Sequence, residues 1–212
     1  MKNLTVLILF VLGVNASIFA ASYKEAMIEN ITKMNKSQDP AELSELANSF
    51  DRIAQKETTE WLPLYYSAYA SINSTFFNQQ LTKEETTKII DKAQQQLDQA
   101  QKINSNESEI YALQAMVYQL RISMDPANAY QFTVKINEAL GRAETLNAKN
   151  PRIPYLRGTT LFYTPEEYGG GASVAKPLLE KAAQLFSSAD TSNPLMPNWG
   201  AYHNNMVLQQ CK

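Results

Sequence analysis

The sequence predicts an all-α protein built from antiparallel helix pairs, and three observations support this prediction. Only seven of the 212 residues are glycine, and the chain is rich in Ala, Gln, Leu and Glu, which favour helices. Apolar residues recur at three- and four-residue steps, as at Ile90, Ala93, Leu97 and Ala100, which gives one apolar helix face. Capping residues and Asp-Pro or Asn-Pro pairs separate these periodic segments.

Local signals mark where each predicted helix begins. Asp39 precedes Pro40, an N-cap followed by a proline in the first turn. Thr82 with Glu85 has the capping-box pattern, and Asn106 begins a second one. The helices expected from these signals and from the periodicity are 23–35, 40–56, 59–78, 83–103, 107–123, 127–147, 151–163, 173–188 and 199–210.

The first 22 residues have the pattern of a secretory signal peptide. Lys2 is followed by an apolar run over 4–14 and by small residues that end at Ser22. An uncleaved membrane anchor is the alternative, but the run is shorter than the roughly 20 residues of a spanning helix. We therefore expect residues 1–22 to be a signal peptide and residues 23–212 to be one exported domain, periplasmic or secreted. We expect no stable membrane anchor after cleavage.

Charge and residue inventory exclude several function classes. The 21 acidic and 19 basic side chains leave the chain near neutrality, without the basic surface of a nucleic-acid binder. Cys211 is the only cysteine and His203 the only histidine, and no Ser/His/Asp or Cys/His constellation can be assembled. We therefore predict no catalytic residues, no cofactor and no metal site, and hence a protein that is not an enzyme.

Small residues recur at equal spacing in two parts of the chain. Ala100 and Ala115 are 15 residues apart, as are Ala143 and Gly158. Small side chains at such points let two antiparallel helices approach closely, and a larger neighbour fills the gap to the next pair. The spacing indicates repeated helix pairs.

At these residues the chain resembles the tetratricopeptide repeat family. Tyr111, Ala115 and Tyr118 match the aromatic–small–aromatic series of that family's first helix. The steps from Ala68 to Ala115 and from Ala115 to Gly158 are 47 and 43 residues, longer than the family's repeat of about 34. The resemblance implies stacked helix pairs that form a right-handed α-solenoid, with longer helices or loops than usual.

The resemblance covers roughly residues 40–188, and together with the signal it is similar to exported bacterial proteins of this class. It implies a scaffold that binds a protein or peptide partner in a concave groove; the oligomeric state stays open, a monomer included. The alternatives are that the aromatic residues pack inside the helix pairs, or that the chain has a structural role in an envelope assembly. The residues that the resemblance places in the groove are Tyr65, Tyr69, Asn73, Ala112, Met116, Gln119, Arg152, Tyr155, Thr159 and Tyr163.

The segment "YTPEEYGGGASVAK" raises a different possibility. Gly169 to Gly171 precede a predicted helix, and exposed amides there could bind an anion. The spacing matches neither the phosphate-binding P-loop nor the dinucleotide fingerprint. We favour a structural bend that Tyr163 and Tyr168 pack onto its neighbours. The alternative is a small-molecule or anion-binding protein, or an enzyme, that uses the Gly169–Gly171 bend.

Trp199 lies in a proline-containing segment before the last predicted helix. It could cap a binding groove. We favour a second interpretation, in which the segment turns back over the final helix pair and Trp199 seals the exposed apolar end of the array.

Overall fold

The computed structural model describes residues 22–211, and all regular structure within that range is helical. The predicted all-α class is confirmed, with every observed boundary within three residues of the predicted one. None of the described helices has the length and apolar character needed to cross a membrane. The predicted signal peptide falls almost entirely outside the described residues.

The α-helices are α1 (22–34), α2 (Pro40–Lys56), α3 (Leu62–Phe77), α4 (Lys83–Ile103), α5 (Ser108–Met124), α6 (Ala129–Leu146), α7 (Arg152–Tyr163), α8 (Ala172–Ser187) and α9 (Ala201–Gln210), with 3-10 turns at Pro126–Asn128 and Glu166–Tyr168.

Most of the predicted capping residues cap their helices. The Asp39 carboxylate accepts a hydrogen bond from a first-turn N–H of α2 at 2.9 Å, and Thr82 and Glu85 form the reciprocal capping box of α4. The cap predicted at Asn106 is wrong. Helix α5 begins later, and the carboxylate of Glu107 accepts the first-turn N–H instead. A side chain of either type, asparagine or glutamate, can accept a hydrogen bond from one of the otherwise unpaired backbone amides at the start of a helix.

Neighbouring helices pack as hairpins, because links of only a few residues make each helix turn back along the previous one. Helices α2 and α3, α3 and α4, α5 and α6, and α7 and α8 are packed pairs. A second set of contacts joins α3 to α5, α5 to α7 and α7 to α9. We call α3, α5, α7 and α9 the central row.

A buried polar network connects helices α2, α3 and α4. The Ser67 hydroxyl of α3 lies 2.8 Å from both the Ala47 carbonyl and the Asp51 carboxylate of α2. The Gln96 amide of α4 donates to the same carboxylate at 2.6 Å. Because buried polar groups are costly when unpaired, this network favours one register between the helices.

Close helix approach at Gly158 confirms the prediction that a small residue is needed there. A Cβ added at Gly158 would lie 2.7 Å from Leu179 Cδ2 on α8, closer than normal side-chain contacts allow. Ala115 is fully buried in α5. These contacts do not establish a tetratricopeptide repeat or the hand of a superhelix, which stay predictions.

Candidate functional site

The central row presents a surface with few charges, which we call the central face: the exposed side of α3, α5 and α7 that carries Tyr69, Asn73, Gln119 and Tyr163. Helices α3 and α9 contain no acidic or basic residue other than His203. Within the row, Gln119 of α5 donates to the Leu156 carbonyl and the Thr160 hydroxyl of α7 at 3.0 and 2.8 Å. The face is thus held by neutral hydrogen bonds.

A buried ion pair lies at the end of the row where α5 and α7 begin. Arg152 Nη1 donates to Glu109 Oε1 at 2.9 Å, and the two side chains are only 4% and 10% exposed. Burial raises the pKa of Glu109 to about 7, while the neighbouring Arg152 opposes that rise. Neither the Glu109 Oε2 atom nor the Arg152 Nε atom has a hydrogen-bond partner among the described residues. The ion pair therefore leaves one carboxylate oxygen and one guanidinium nitrogen without a hydrogen bond to the described residues.

Trp199 covers this end of the row. Its indole ring stacks on Tyr69 at 5.0 Å with a 20° angle between the planes, and its Nε1–H donates to the Tyr65 hydroxyl at 2.7 Å. The Arg152 guanidinium lies 4.8 Å from the indole centroid, within the range of a cation–π contact. Trp199 thus packs on α3 and α7 rather than only on the final helix pair.

Two hydrogen bonds fasten the segment that carries Trp199. The Tyr66 hydroxyl of α3 donates to the Leu195 carbonyl at 2.9 Å, and the Asn35 and Asn198 side chains are bonded at 3.2 Å. We call residues 188–200 the strap. The strap crosses from α8 to α9 and closes the Tyr65 end of the central face.

The residues predicted to line a groove divide into three groups. Tyr65, Met116, Arg152, Tyr155 and Thr159 are buried, as is Ala112. Tyr69, Asn73 and Gln119 are half-buried, and Tyr163 is 65% exposed. Tyr65 and Arg152 face Trp199 and Glu109 rather than an open groove. Their role as partner contacts stays a prediction, and it would require Trp199 to leave its place.

Aromatic side chains are exposed at the opposite end of the face, where α3 and α7 finish. Phe76 is 51% exposed and Phe77 is 45% exposed. Phe162 and Tyr163 meet edge to face at 5.0 Å between ring centroids. Phe76, Phe77 and Phe162 were missing from the prediction. The sequence did contain a signal for them, because α3 and α7 each end in two consecutive aromatic residues. Exposed clusters of large apolar side chains are rare in proteins and mark interaction sites.

His203 is held beside the central face by Tyr155. The His203 Nδ1 and Tyr155 hydroxyl are 2.9 Å apart, and the rings meet edge to face at 5.8 Å. Burial lowers the pKa of His203, which favours the neutral imidazole. Residues 22–211 contain no cluster of three or more His, Cys, Asp or Glu side chains suited to a bare metal ion.

A solved structure that resembles the chain is the HusA haemophore from Porphyromonas gingivalis. The two share 30% sequence identity with a TM-score of 0.79, over 90% of this chain and 92% of HusA. The chain belongs to the HusA family. No family model matches the chain, and no curated protein matches it. HusA itself is described as a haemophore.

The amides of the glycine-rich bend are hydrogen-bonded within the chain. The Gly169 N–H donates to the Glu166 carbonyl at 2.9 Å, the Gly170 N–H to the Pro165 carbonyl and the Gly171 N–H to the Leu161 carbonyl. Gly170 is buried against Thr164, where an added Cβ would overlap the backbone oxygen. All three glycine amides are used internally, so Gly169–Gly171 offer no free N–H to an anion, which favours the interpretation of this segment as a structural bend.

A polar cleft of about 260 Å³ lies elsewhere in the described part of this HusA relative. It lies between α4, α5 and α6, on a different side of α5 from the central face. Arg142 lies over the Tyr111 ring at 5.8 Å and Lys135 over the Tyr118 ring at 5.7 Å. The remaining lining is mainly amide and carboxylate: Gln94, Asp98, Gln101, Gln114 and Glu138.

Proposed function

We propose that the protein is an exported, non-enzymatic carrier that binds haem or a closely related planar tetrapyrrole on the central face. The observation that carries this proposal is the likeness to a haemophore over about nine-tenths of both chains. Likeness over part of a chain would support only a shared scaffold, whereas this match covers 90% of this chain and 92% of HusA.

The chemistry of the central face fits a large, flat and mostly apolar ligand. Phe76, Phe77 and Tyr163 are exposed at one end of the face, and aromatic rings offer wide contact area at little cost in side-chain entropy. Helix α3 has no charged side chain, and Arg157 of α7 is already paired with Glu144 at 2.8 Å. The macrocycle would therefore lie on aromatic surface while its carboxylates stay in water.

The cleft between α4 and α6 is the competing location. Its two tyrosine rings and two cations could hold a planar carboxylate. However, its amide and carboxylate groups would lose water on contact with an apolar macrocycle, and that loss costs free energy. The central face exposes phenylalanine instead, so burying it stabilises the complex.

Absorbance titration with haemin tests the proposal. We expect the purified mature chain to shift the porphyrin absorption band and to hold the ligand through gel filtration. Phe76→Ala and Tyr163→Ala should each weaken binding about tenfold, as loss of an aromatic contact does. Tyr130→Ala, an exposed tyrosine of α6, is the matched control and should bind as wild type.

Tyr118→Ala separates the two locations. If Tyr118→Ala weakens haemin binding and Phe76→Ala does not, the cleft rather than the central face is the site. Binding on the central face should also depend weakly on salt, because no unpaired cation of α3 or α7 contributes. A wild-type chain that neither changes the haemin spectrum nor retains the ligand would overturn the proposed function.

A further inference from the structure

We propose that the polar cleft between α4 and α6 is a second binding site, which takes a short zwitterionic peptide of two or three residues. This inference goes beyond the proposed function and does not depend on it, because the cleft and the central face lie on different sides of α5. The cleft volume of about 260 Å³ is just below the roughly 300–1,000 Å³ that is usual for ligand pockets. It therefore suits a small molecule rather than a porphyrin or a folded partner.

The cleft exists because α4 and α6 both pack on α5 without packing on each other. Its lining residues recur at three- and four-residue steps along each helix, so each helix contributes one straight stripe. The stripe of α5, which carries Tyr111, Gln114 and Tyr118, forms the floor and is half-buried. The charged side chains of α4 and α6 stand on the two walls and are exposed. A ligand can therefore enter from solvent and contact three helices.

The cleft holds opposite charges that do not neutralise one another. Lys135 and Arg142 of α6 are its cations, and Asp98 of α4 and Glu138 of α6 are its carboxylates. None of the four forms an ion pair within the described part of the chain. Each cation lies over one of the floor tyrosines instead, and this contact replaces part of the missing pairing. A dipolar ligand would pair both signs of charge at once, whereas a purely anionic or cationic ligand would leave one sign unpaired.

The charged groups define an ammonium end and a carboxylate end. Burial raises the pKa of Tyr118, and the nearby carboxylates of Asp98 and Glu138, which come from opposite walls, add to that rise. Lys135 lies at this end as well, so two carboxylates outweigh one cation there. Arg142 lies over the other floor tyrosine, seven residues and so roughly 10 Å away along α5, and its guanidinium fork suits a carboxylate. An extended chain gains about 3.3–3.6 Å per residue, so two or three residues connect the two ends.

A pair of glutamine side chains lies between these ends. Gln94 Nε2 donates to Gln114 Oε1 at 2.7 Å, and Gln114 Nε2 donates to Gln94 Oε1 at 2.6 Å. Gln94 Nε2 also donates to Asp98 at 2.7 Å, so Gln114 keeps one N–H while both carbonyl oxygens keep a lone pair. A peptide bond needs one donor and one acceptor of this kind. A neutral sugar could use the same amides, but it would leave the four charges unpaired.

Titration of the mature chain with alanine, dialanine and trialanine, followed by heteronuclear magnetic resonance, tests the assignment. Dialanine and trialanine should shift the backbone amides of the lining residues, with dissociation constants of about 1 mM or lower. Alanine, which reaches only one end, should bind about fivefold more weakly. N-acetyl-dialanine lacks the ammonium group and dialanine amide lacks the carboxylate, so each should also lose about fivefold. Maltose, a neutral polyol, should cause no shift.

Charge-removing variants assign each end of the peptide to its wall residue. Arg142→Gln should weaken dialanine binding and leave the affinity for dialanine amide unchanged, because that probe has no carboxylate to lose. Glu138→Gln should weaken dialanine binding and leave the affinity for N-acetyl-dialanine unchanged. The matched controls are Arg52→Gln and Glu45→Gln, which are exposed in α2 and should bind dialanine as wild type does.

The outcomes separate this site from the haem site. If neither peptide shifts the cleft amides at about 10 mM, ten times the expected constant, the assignment is overturned and the proposed haem carrier stands. The same holds if either blocked form binds as tightly as dialanine, or if maltose binds in the cleft. Haemin should leave the dialanine affinity unchanged. Displacement of haemin by dialanine would make the cleft the porphyrin site and would overturn both the peptide assignment and the central-face location.

Discussion

Replacing Arg152 by methionine is the sharpest test of how the central row is held together. The change keeps an apolar stem of similar length and removes the guanidinium that neutralises Glu109. Both side chains are almost fully buried, and removing one partner of a buried pair costs about 3–5 kcal/mol because the other charge is left uncompensated. Loss of the contact over the Trp199 indole acts in the same direction.

The size of this loss should depend on pH. Burial already raises the pKa of Glu109 to about 7, and removing Arg152 takes away the charge that lowers it. A carboxyl whose pKa is higher in the folded than in the unfolded state holds more protons when folded, so stability falls as pH rises through that window. Arg152→Met should therefore cost less at about pH 5, where Glu109 can protonate, than at about pH 8.

Urea unfolding followed by circular dichroism measures both effects. The matched control is Arg157→Met, which breaks the Arg157–Glu144 pair, whose side chains are 31% and 39% exposed. An exposed pair of this kind is worth about 1 kcal/mol or less. Adding Glu109→Leu to Arg152→Met should recover most of the stability. If Arg152→Met costs no more than Arg157→Met at about pH 8, the burial argument is wrong, and an equal cost at both pH values contradicts the pKa argument.

Three further outcomes are expected. Gly158→Leu should lower the free energy of unfolding by roughly 1–3 kcal/mol, since even a Cβ at this position would collide with Leu179; unchanged thermal melts would contradict the close helix contact. Gly141→Ala should raise that free energy by up to about 1 kcal/mol, because an added Cβ in α6 meets nothing within 4 Å; a destabilised variant would refute this. Mass spectrometry of the exported protein should find a chain that begins within a few residues of Tyr23, and a chain that retains Met1 would rule out cleavage near Ser22.

Local chemistry made the helices predictable from sequence. The Asp39 cap and the Thr82–Glu85 box involve residues only a few positions apart, so the interactions that begin α2 and α4 can be recognised from the local sequence. The small residue at Gly158 was found from spacing, since two helices that touch need room at a regular step. The structural reading of the Gly169–Gly171 bend likewise followed from its mismatch with known phosphate loops.

The site was decided by contacts between residues far apart in the chain. Trp199 donates to Tyr65, 134 residues away, and His203 meets Tyr155 across 48 residues. The resemblance to the tetratricopeptide repeat placed Tyr65 and Arg152 on one side of the central row, but whether that side is open or covered depends on the path of the strap.

Helical periodicity reports which side of a helix is apolar, and not which segment covers it, because a strap and a ligand satisfy an apolar surface equally well. The sequence by itself therefore determined the helices and the side of each that packs. Only the tertiary structure decided that Trp199 fills one end of the central face and that Phe76, Phe77 and Tyr163 stay exposed at the other.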